Sequence, residues 1–278
     1  MDYNFTVVLP VLNELDNLVI LLPELEKFGC EIVVCDNGST DGGLEYVRFY
    51  HKRVRISQGW GTVVEAIQRG LTLTSHPKVI IMDSDRSHPT AMVPLLVSAL
   101  DNYDLVVASR YIKGGQSEDN WKNKVISKSF NILSWLLAPS VEDRASGFWG
   151  VRKSAIKSIG IRDTTKPMLE YIVRGRISNV MEIPYTFKPR KSGYSKIGKP
   201  ILKEFSSLIL LYIHKFQRPI KFCLVGGTGA LLQLGLLTFF TEITGLFYVM
   251  SAVVAIIVAT IWNYLWNNFW TFQKKGLV

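Results

Sequence analysis

Cysteine and histidine are scarce in this chain, with three and four among 278 residues. Cys30, Cys35 and Cys223 lack the paired spacing of a zinc site, and in a reducing cytoplasm they are expected to stay thiols. The histidines form no ligand cluster, and no Ser-His-Asp arrangement of an acyl-transfer enzyme is readable. A phosphate loop ending in Gly-Lys-Ser/Thr is missing, and so is the GxGxxG turn of dinucleotide folds. The opening Met-Asp-Tyr-Asn-Phe has no basic segment, so no secretory signal is expected.

Charge itself is absent from two stretches. None occurs from Phe222 to Thr241, and after Glu242 none occurs from Ile243 to Gln273. Crossing a bilayer takes about 20 apolar residues, and each stretch suffices. A buried hairpin inside a soluble core is the alternative, but two such runs in tandem favour membrane spans. Lys215, Arg218 and Lys221 precede the first run, Lys274 and Lys275 follow the second, and the loop between holds only Glu242. By the positive-inside rule both outer flanks, and with them the amino-terminal domain, are expected in the cytoplasm. The net charge of +9 is thereby placed at membrane flanks and loops. No basic surface with interleaved aromatics is visible, so no nucleic-acid partner is expected.

The first part of the chain alternates apolar runs with helical spacing. Residues 5–9, 31–35, 78–82 and 104–108 read as strands, 14–28 and 61–73 as helices, which predicts a parallel α/β sheet. Ligands of such sheets bind beyond the carboxyl ends of the strands. Pro10, Asp36, Asp83 and Ser109-Arg110 stand at those ends. Further on, 121–137 and 200–216 read as amphipathic helices, the second suited to a membrane surface, and 180–188 as a strand. The expected boundaries are an α/β domain over 1–198, an interface helix over 199–217 and a two-span hairpin over 218–278.

Asp83 and Asp85 are the sharpest chemical signal. In an extended segment, residues i and i+2 point the same way, so both carboxylates can converge on one cation. Oxygen ligands suit Mg²⁺ or Mn²⁺, and Mg²⁺ is commonly held by one or two carboxylates plus substrate phosphates. Equally, an Asp-x-Asp at a strand end can be polar punctuation. In the turn Asp36-Asn37-Gly38-Ser39-Thr40-Asp41-Gly42, Asp36 can accept from a base or ribose, or the turn can cap the next helix. His88 next to the aspartates is as easily structural.

Seven segments in order resemble family 2 glycosyltransferases, specifically polyprenyl-phosphate sugar synthases of the dolichol-phosphate mannose synthase type. They are VVLPVLNELDNL (7–18), IVVCDNGSTDG (32–42), GWGTVVEAIQRGL (59–71), IIMDSDRSHP (80–89), ASRYIKGG (108–115), RASGFWGVRK (144–153) and IPYTFKPRKSGYSKIG (183–198). The tail, in RPIKFCLVGGTGALLQ (218–233) and WNYLWNNFWTF (262–272), resembles a GtrA-type membrane domain, which usually has four spans where this chain shows two.

The resemblance implies a GT-A type nucleotide-diphosphosugar transferase domain. It implies Mg²⁺ or Mn²⁺ on Asp83 and Asp85, with Ser87 as a further polar contact. It places Pro10, Leu12, Glu14, Val34 and Asp36 at the nucleoside, with Ser84 also on the donor. Arg110, Arg190 and Lys196 match basic positions for donor or lipid phosphate, and Ser195-Lys196 a loop that closes over the donor. Lys124 and Ser127 fall at the lipid phosphate. Asp85, Arg110, Arg190 and Lys196 are the implied catalytic set. The implied activity is inverting transfer of a sugar to a polyprenyl phosphate, with mannose from GDP-mannose expected and a UDP-sugar as the rival donor. A non-catalytic sugar-nucleotide-binding partner of a lipid-sugar flippase is the rival of another class. Four departures stand out: Asn37 where a second Asp is common, Arg86 where an apolar residue is frequent, Lys124 near an expected Arg, and Trp149-Gly150-Val151 in a stretch usually richer in Arg and Tyr.

Overall fold

The structure is a computed structural model that describes residues 4–157, 159–161, 166–189 and 200–273, with main chain only over 200–205. The strands are β1 (Phe5–Val11), β2 (Glu31–Asp36), β3 (Arg55–Gln58), β4 (Lys78–Ile81), β5 (Leu105–Ser109), β6 (Gln116–Ser117), β7 (Trp149–Arg152), β8 (Val180–Pro184) and β9 (Thr186–Phe187). The helices are α1 (Leu15–Glu26), α2 (Gly43–Tyr50), α3 (Val63–Leu73), α4 (Val93–Ala99), α5 (Trp121–Leu133), α6 (Lys153–Ile156), α7 (Pro167–Gly175), α8 (Pro200–Lys215), α9 (Gln217–Thr238) and α10 (Tyr248–Trp266).

Seven strands form one sheet in the order β3-β2-β1-β4-β7-β5-β8. Continuous apolar runs such as FTVVLPV on β1, buried at every position, are what a sheet covered on both faces requires. α3 packs closely on β1 and β2 because Gly70 has no side chain there: a Cβ would sit 2.5 Å from Val8 and 2.7 Å from Cys35. α3 starts on a capping box in which the Thr62 hydroxyl accepts from Glu65 N–H and the Glu65 carboxylate accepts from Thr62 N–H.

One expectation is corrected. The sheet is mixed, because β7 runs antiparallel between β4 and β5. Its residues are the divergent Trp149-Gly150-Val151, and Gly150 lets Ile80 of β4 and Leu100 approach. The 180–188 strand also divides at buried Tyr185, whose N–H donates to Ser109 O, so β8 continues the main sheet and β9 pairs with β6.

The chain divides into two compact units, Met1–Leu211 and Tyr212–Val278, with the division inside α8. In the second unit, Gln217–Ile243 and Tyr248–Thr271 are two helices long and apolar enough to cross a membrane. They pack on one another, with Ser251, Ala255 and Ala259 of α10 and Val225 and Gly229 of α9 buried.

Candidate active site

The carboxyl ends of β1, β2 and β4 meet at a cluster of tight turns. Beyond β2, both oxygens of buried Asp36 are used within its own turn, accepting from Gly38 N–H at 2.9 Å and Ser39 N–H at 3.2 Å. Gly38 has φ +92°, and a Cβ there would meet the Trp60 ring at 2.5 Å, so glycine serves both the backbone and the indole above it. Asp41, not Asp36, caps the helices, accepting from Gly43 N–H of α2 and Leu15 N–H of α1. Asn37 has its own work: its Oδ1 accepts from Arg69 at 2.7 Å, and its Nδ2 donates to Thr62 O. An Asn suits both because it is donor and acceptor at once.

Beyond β4 the expected extended geometry is absent. The strand ends at Ile81 and the chain bends over Ser84, Asp85 and Arg86, the last with φ +61°, so Asp85 lies on a bend that Asp83 leads into. The pair is asymmetric: the Asp83 side chain is 44% exposed, while Asp85 is buried. Asp85 Oδ1 accepts from both the main-chain N–H and the hydroxyl of Ser87, at 3.0 and 2.6 Å. Ser84 ties the bend to β1 by donating to Pro10 O at 2.9 Å. Gly147 lies against Asp83, where a Cβ would be 2.9 Å from Oδ2.

His88 is locked beneath the bend. Its Nδ1 accepts from Asp83 N–H at 3.1 Å, so the ring proton sits on Nε2, 3.8 Å from Asp83 Oδ2. The ring stacks on Phe148 at 4.8 Å. Burial above all holds its pKa down at about 4, outweighing the nearby Asp85, so the imidazole is neutral. The residues present therefore offer a cation two carboxylates and a hydroxyl, while the nearest nitrogen is engaged. That hard-oxygen set fits Mg²⁺ or Mn²⁺ completed by substrate phosphates. Among the described residues, no three His, Cys, Asp or Glu side chains gather around one point.

Beyond β5, Arg110 is brought to Ser127 of α5, 3.2 Å from Nη2. Its guanidinium is also clamped by Asp143, through Nε and Nη2, both at 2.7 Å. Asp143 is fully buried, and its loop is pinned by Glu182 of β8, which accepts from Glu142 and Asp143 N–H. Burial works against the Arg110 charge, but the Asp143 bonds outweigh it and keep the guanidinium protonated. Three of the five guanidinium donors are committed in this way, and the pair on Nη1 is not used by these bonds.

Other expected residues fall out differently. Glu14 is buried and accepts from Asn17 Nδ2 at 2.6 Å. Leu12 is half-buried past the end of β1. Val34 belongs to the core and is 1% exposed, so it supports the strand leading to Asp36 and lines no open surface. Arg144, which opens the RASG segment, is buried and bonds the carbonyls of Ala138 and Asn131. Lys124 is exposed on α5. Arg190 and Lys196 lie outside the described residues. Sequence reasoning missed Asp143, Gly147 and Trp60; the RASG motif was visible, but nothing local ties Asp143 to an arginine 33 positions away.

Residues 6–160 match glycosyl transferase family 2. The chain belongs to that family. Residues 221–278 match the GtrA/DPMS transmembrane domain. This glycosyltransferase is 30% identical over 257 residues to the dolichol-phosphate mannosyltransferase of Pyrococcus furiosus, covering 86% of this chain and 72% of that one. It is 27% identical to the Saccharomyces cerevisiae enzyme of the same name, covering 78% and 90%. To the polyprenol monophosphomannose synthase of Mycolicibacterium smegmatis it is 27% identical, covering 71% and 82%. Among solved structures, glucosyl-3-phosphoglycerate synthase from Mycobacterium tuberculosis, in complex with Mn²⁺, UDP-glucose and phosphoglyceric acid, superposes with a TM-score of 0.60 at 19% identity. The match covers 75% of this chain and 79% of that one, and it establishes a shared fold.

Proposed function

We propose that this glycosyltransferase moves mannose from GDP-mannose onto a polyprenyl phosphate at the cytoplasmic face of a membrane. One juxtaposition carries the reading. A sheet edge ending in Asp36, Asp83 and Asp85 is joined in one chain to two apolar spans, and relatives covering most of the chain are named for mannose transfer to dolichol or polyprenol phosphate. The basic flanks at Arg218 and Lys221 support the cytoplasmic orientation.

In this reading Asp83 and Asp85 hold Mg²⁺ or Mn²⁺, with Ser87 fixing the rotamer of Asp85. The metal, when bound, supplies positive charge to the diphosphate that departs. Pro10, Leu12, Glu14 and Asp36 frame the nucleoside, and Ser84 secures the bend on which the donor rests. Arg110, Lys124 and Ser127 face the lipid phosphate, and Arg190 and Lys196 bring further charge to the donor. The acceptor is already an anion, so its oxygen attacks the anomeric carbon without a base. Carbon–oxygen bond formation and loss of GDP in one displacement invert the anomeric centre. The protein's work is alignment and charge neutralisation.

The decisive assay pairs radiolabelled GDP-mannose with UDP-glucose on dolichyl and undecaprenyl phosphate, with wild type and Asp85→Ala. Transfer from GDP-mannose that is metal-dependent and falls at least a hundredfold in Asp85→Ala is expected. Transfer from UDP-glucose alone would select the rival donor. Donor binding with Mn²⁺ but no turnover on any lipid phosphate would sink the catalytic reading.

A further inference from the structure

The second unit holds a groove between its two helices. Leu224, Val225 and Thr228 of α9 face Trp262, Trp266 and, in the turn after α10, Trp270 across a cavity of about 340 Å³. Each set recurs at helical spacing, so each lies on one face. Val225 is 3% exposed and forms the floor, while Leu224 and the three indoles, 36–54% exposed, form the rims. One residue further along each helix the groove stops, because Gly229 receives Asn263, whose Oδ1 would lie 2.2 Å from a Cβ there. From Trp262 to Trp270 it runs about 12 Å, within one leaflet of a hydrocarbon core about 30 Å thick.

The polar atoms of the groove are already paired. Trp262 Nε1 donates to Thr228 Oγ1 at 3.2 Å, and that hydroxyl donates to Val225 O at 2.9 Å. The interior thus offers indole faces and methyl groups, which suit a hydrocarbon chain and not water. The mouth is different. Lys221 Nζ stands 5.0 Å from the Trp270 ring centroid and donates to Trp270 O at 3.2 Å. That bond spends one of the three ammonium donors. Arg218 lies three positions earlier on the same side of α9. From Tyr212 to Gln273 the one acidic residue is Glu242, at the far turn of the hairpin, so no acidic side chain of these spans balances Lys221.

We propose that this groove binds one anionic phospholipid, with an acyl chain along the tryptophans and the headgroup phosphate on Lys221. Basic pockets between membrane helices select negatively charged headgroups in this way. The groove stays within one leaflet, as an acyl chain does, whereas a polyprenyl chain overruns it. The inference rests on the hairpin spanning a bilayer and needs neither the donor nor the acceptor of the proposed reaction.

Native mass spectrometry of the full chain, released from nanodiscs of equal phosphatidylglycerol and phosphatidylcholine, tests it. One phosphatidylglycerol per chain is expected to survive collisional activation that strips phosphatidylcholine. Lys221→Gln should lower that retention about fivefold, the attraction of one lysine for anionic lipid. Lys221→Arg, which keeps the charge, should keep the lipid, and Lys52→Gln, on the exposed surface of the first unit, should leave it unchanged. Leu224→Trp, which fills the groove and keeps every charge, should also lower retention. Retention indifferent to headgroup, or unaltered in Lys221→Gln or in Leu224→Trp, overturns the proposal. So does displacement of the phosphatidylglycerol by equimolar undecaprenyl phosphate, which would assign the groove to the acceptor.

Discussion

Replacing Asp143 by Asn isolates what Arg110 does for the fold. The carboxylate is fully buried and accepts from the main-chain N–H, Nε and Nη2 of Arg110. Asparagine keeps one carbonyl acceptor but turns an amide NH₂ toward guanidinium donors and removes the balancing charge. Breaking a buried pair from one side costs about 3–5 kcal/mol. The 11% exposure of Arg110 and the surviving carbonyl place the loss near the lower end, about 3 kcal/mol. In a domain of this size that is roughly 6–12 °C in Tm. Urea titration in detergent, followed by tryptophan fluorescence, measures it. The double variant Arg110→Met/Asp143→Leu should recover most of the loss, because no unpaired charge remains. If Asp143→Asn costs less than about 1 kcal/mol, the clamp is not structural and Arg110 is held for its ligand alone.

Two further outcomes follow from the amino-terminal half. Gly38→Ala combines a strained φ of +92° with a Cβ 2.5 Å from the Trp60 ring, whereas Gly42→Ala, at φ +82°, meets nothing within 4 Å. Both carry about 1–2 kcal/mol of backbone strain, but under the proposed function only Gly38→Ala should also weaken GDP binding, tenfold or more by calorimetry. Glu31 is pulled down to about 2: burial opposes its charge, but bonds from Ser75, Thr6 and Arg55 outweigh it. A depressed carboxyl pKa contributes stability above about 4.5 that is lost as pH falls toward 2. Glu31→Gln should therefore cost about 1–2 kcal/mol at neutral pH, allowing for solvent screening, and flatten the acid limb of a stability–pH curve.

The strands that were legible are those whose apolar runs are long and buried on both faces. β3 was not, because RISQ is four residues long with one buried position, the Ser57 site. β7 was missed because an antiparallel strand between parallel ones leaves no local mark, and its glycine breaks the apolar run. α5 was read as amphipathic, but periodicity does not say which face meets the core, and here the polar side carries Ser127 and Asn131 inward. The aspartate pair was legible as a site and not as a geometry: the strand stops at Ile81 and the chain bends from Ser84 on, in the segment that alternation assumed extended. Arg110 was recognised, but its cost in a buried carboxylate was set by a contact 33 residues away.

That cost redistributes the catalytic burden. Asp143 cancels the Arg110 charge at 2.7 Å, so Arg110 offers a phosphate the donors on Nη1 but little net field. His88 offers no proton transfer either, being buried, neutral and bonded to Asp83 N–H. Under the proposed function, positive charge for the leaving diphosphate then rests on the metal and on the basic segment from Lys188 to Lys199, which holds Arg190, Lys191 and Lys196. The chain enters that segment beside the aspartates, since Lys188 N–H donates to Ser87 O at 3.2 Å. Arg190→Ala and Lys196→Ala should each lower kcat at least tenfold with stability unchanged, whereas Arg110→Met/Asp143→Leu should raise the KM for lipid phosphate more than it lowers kcat. The reverse order, with the double variant losing more kcat than either loop variant, would put the working charge back on Arg110.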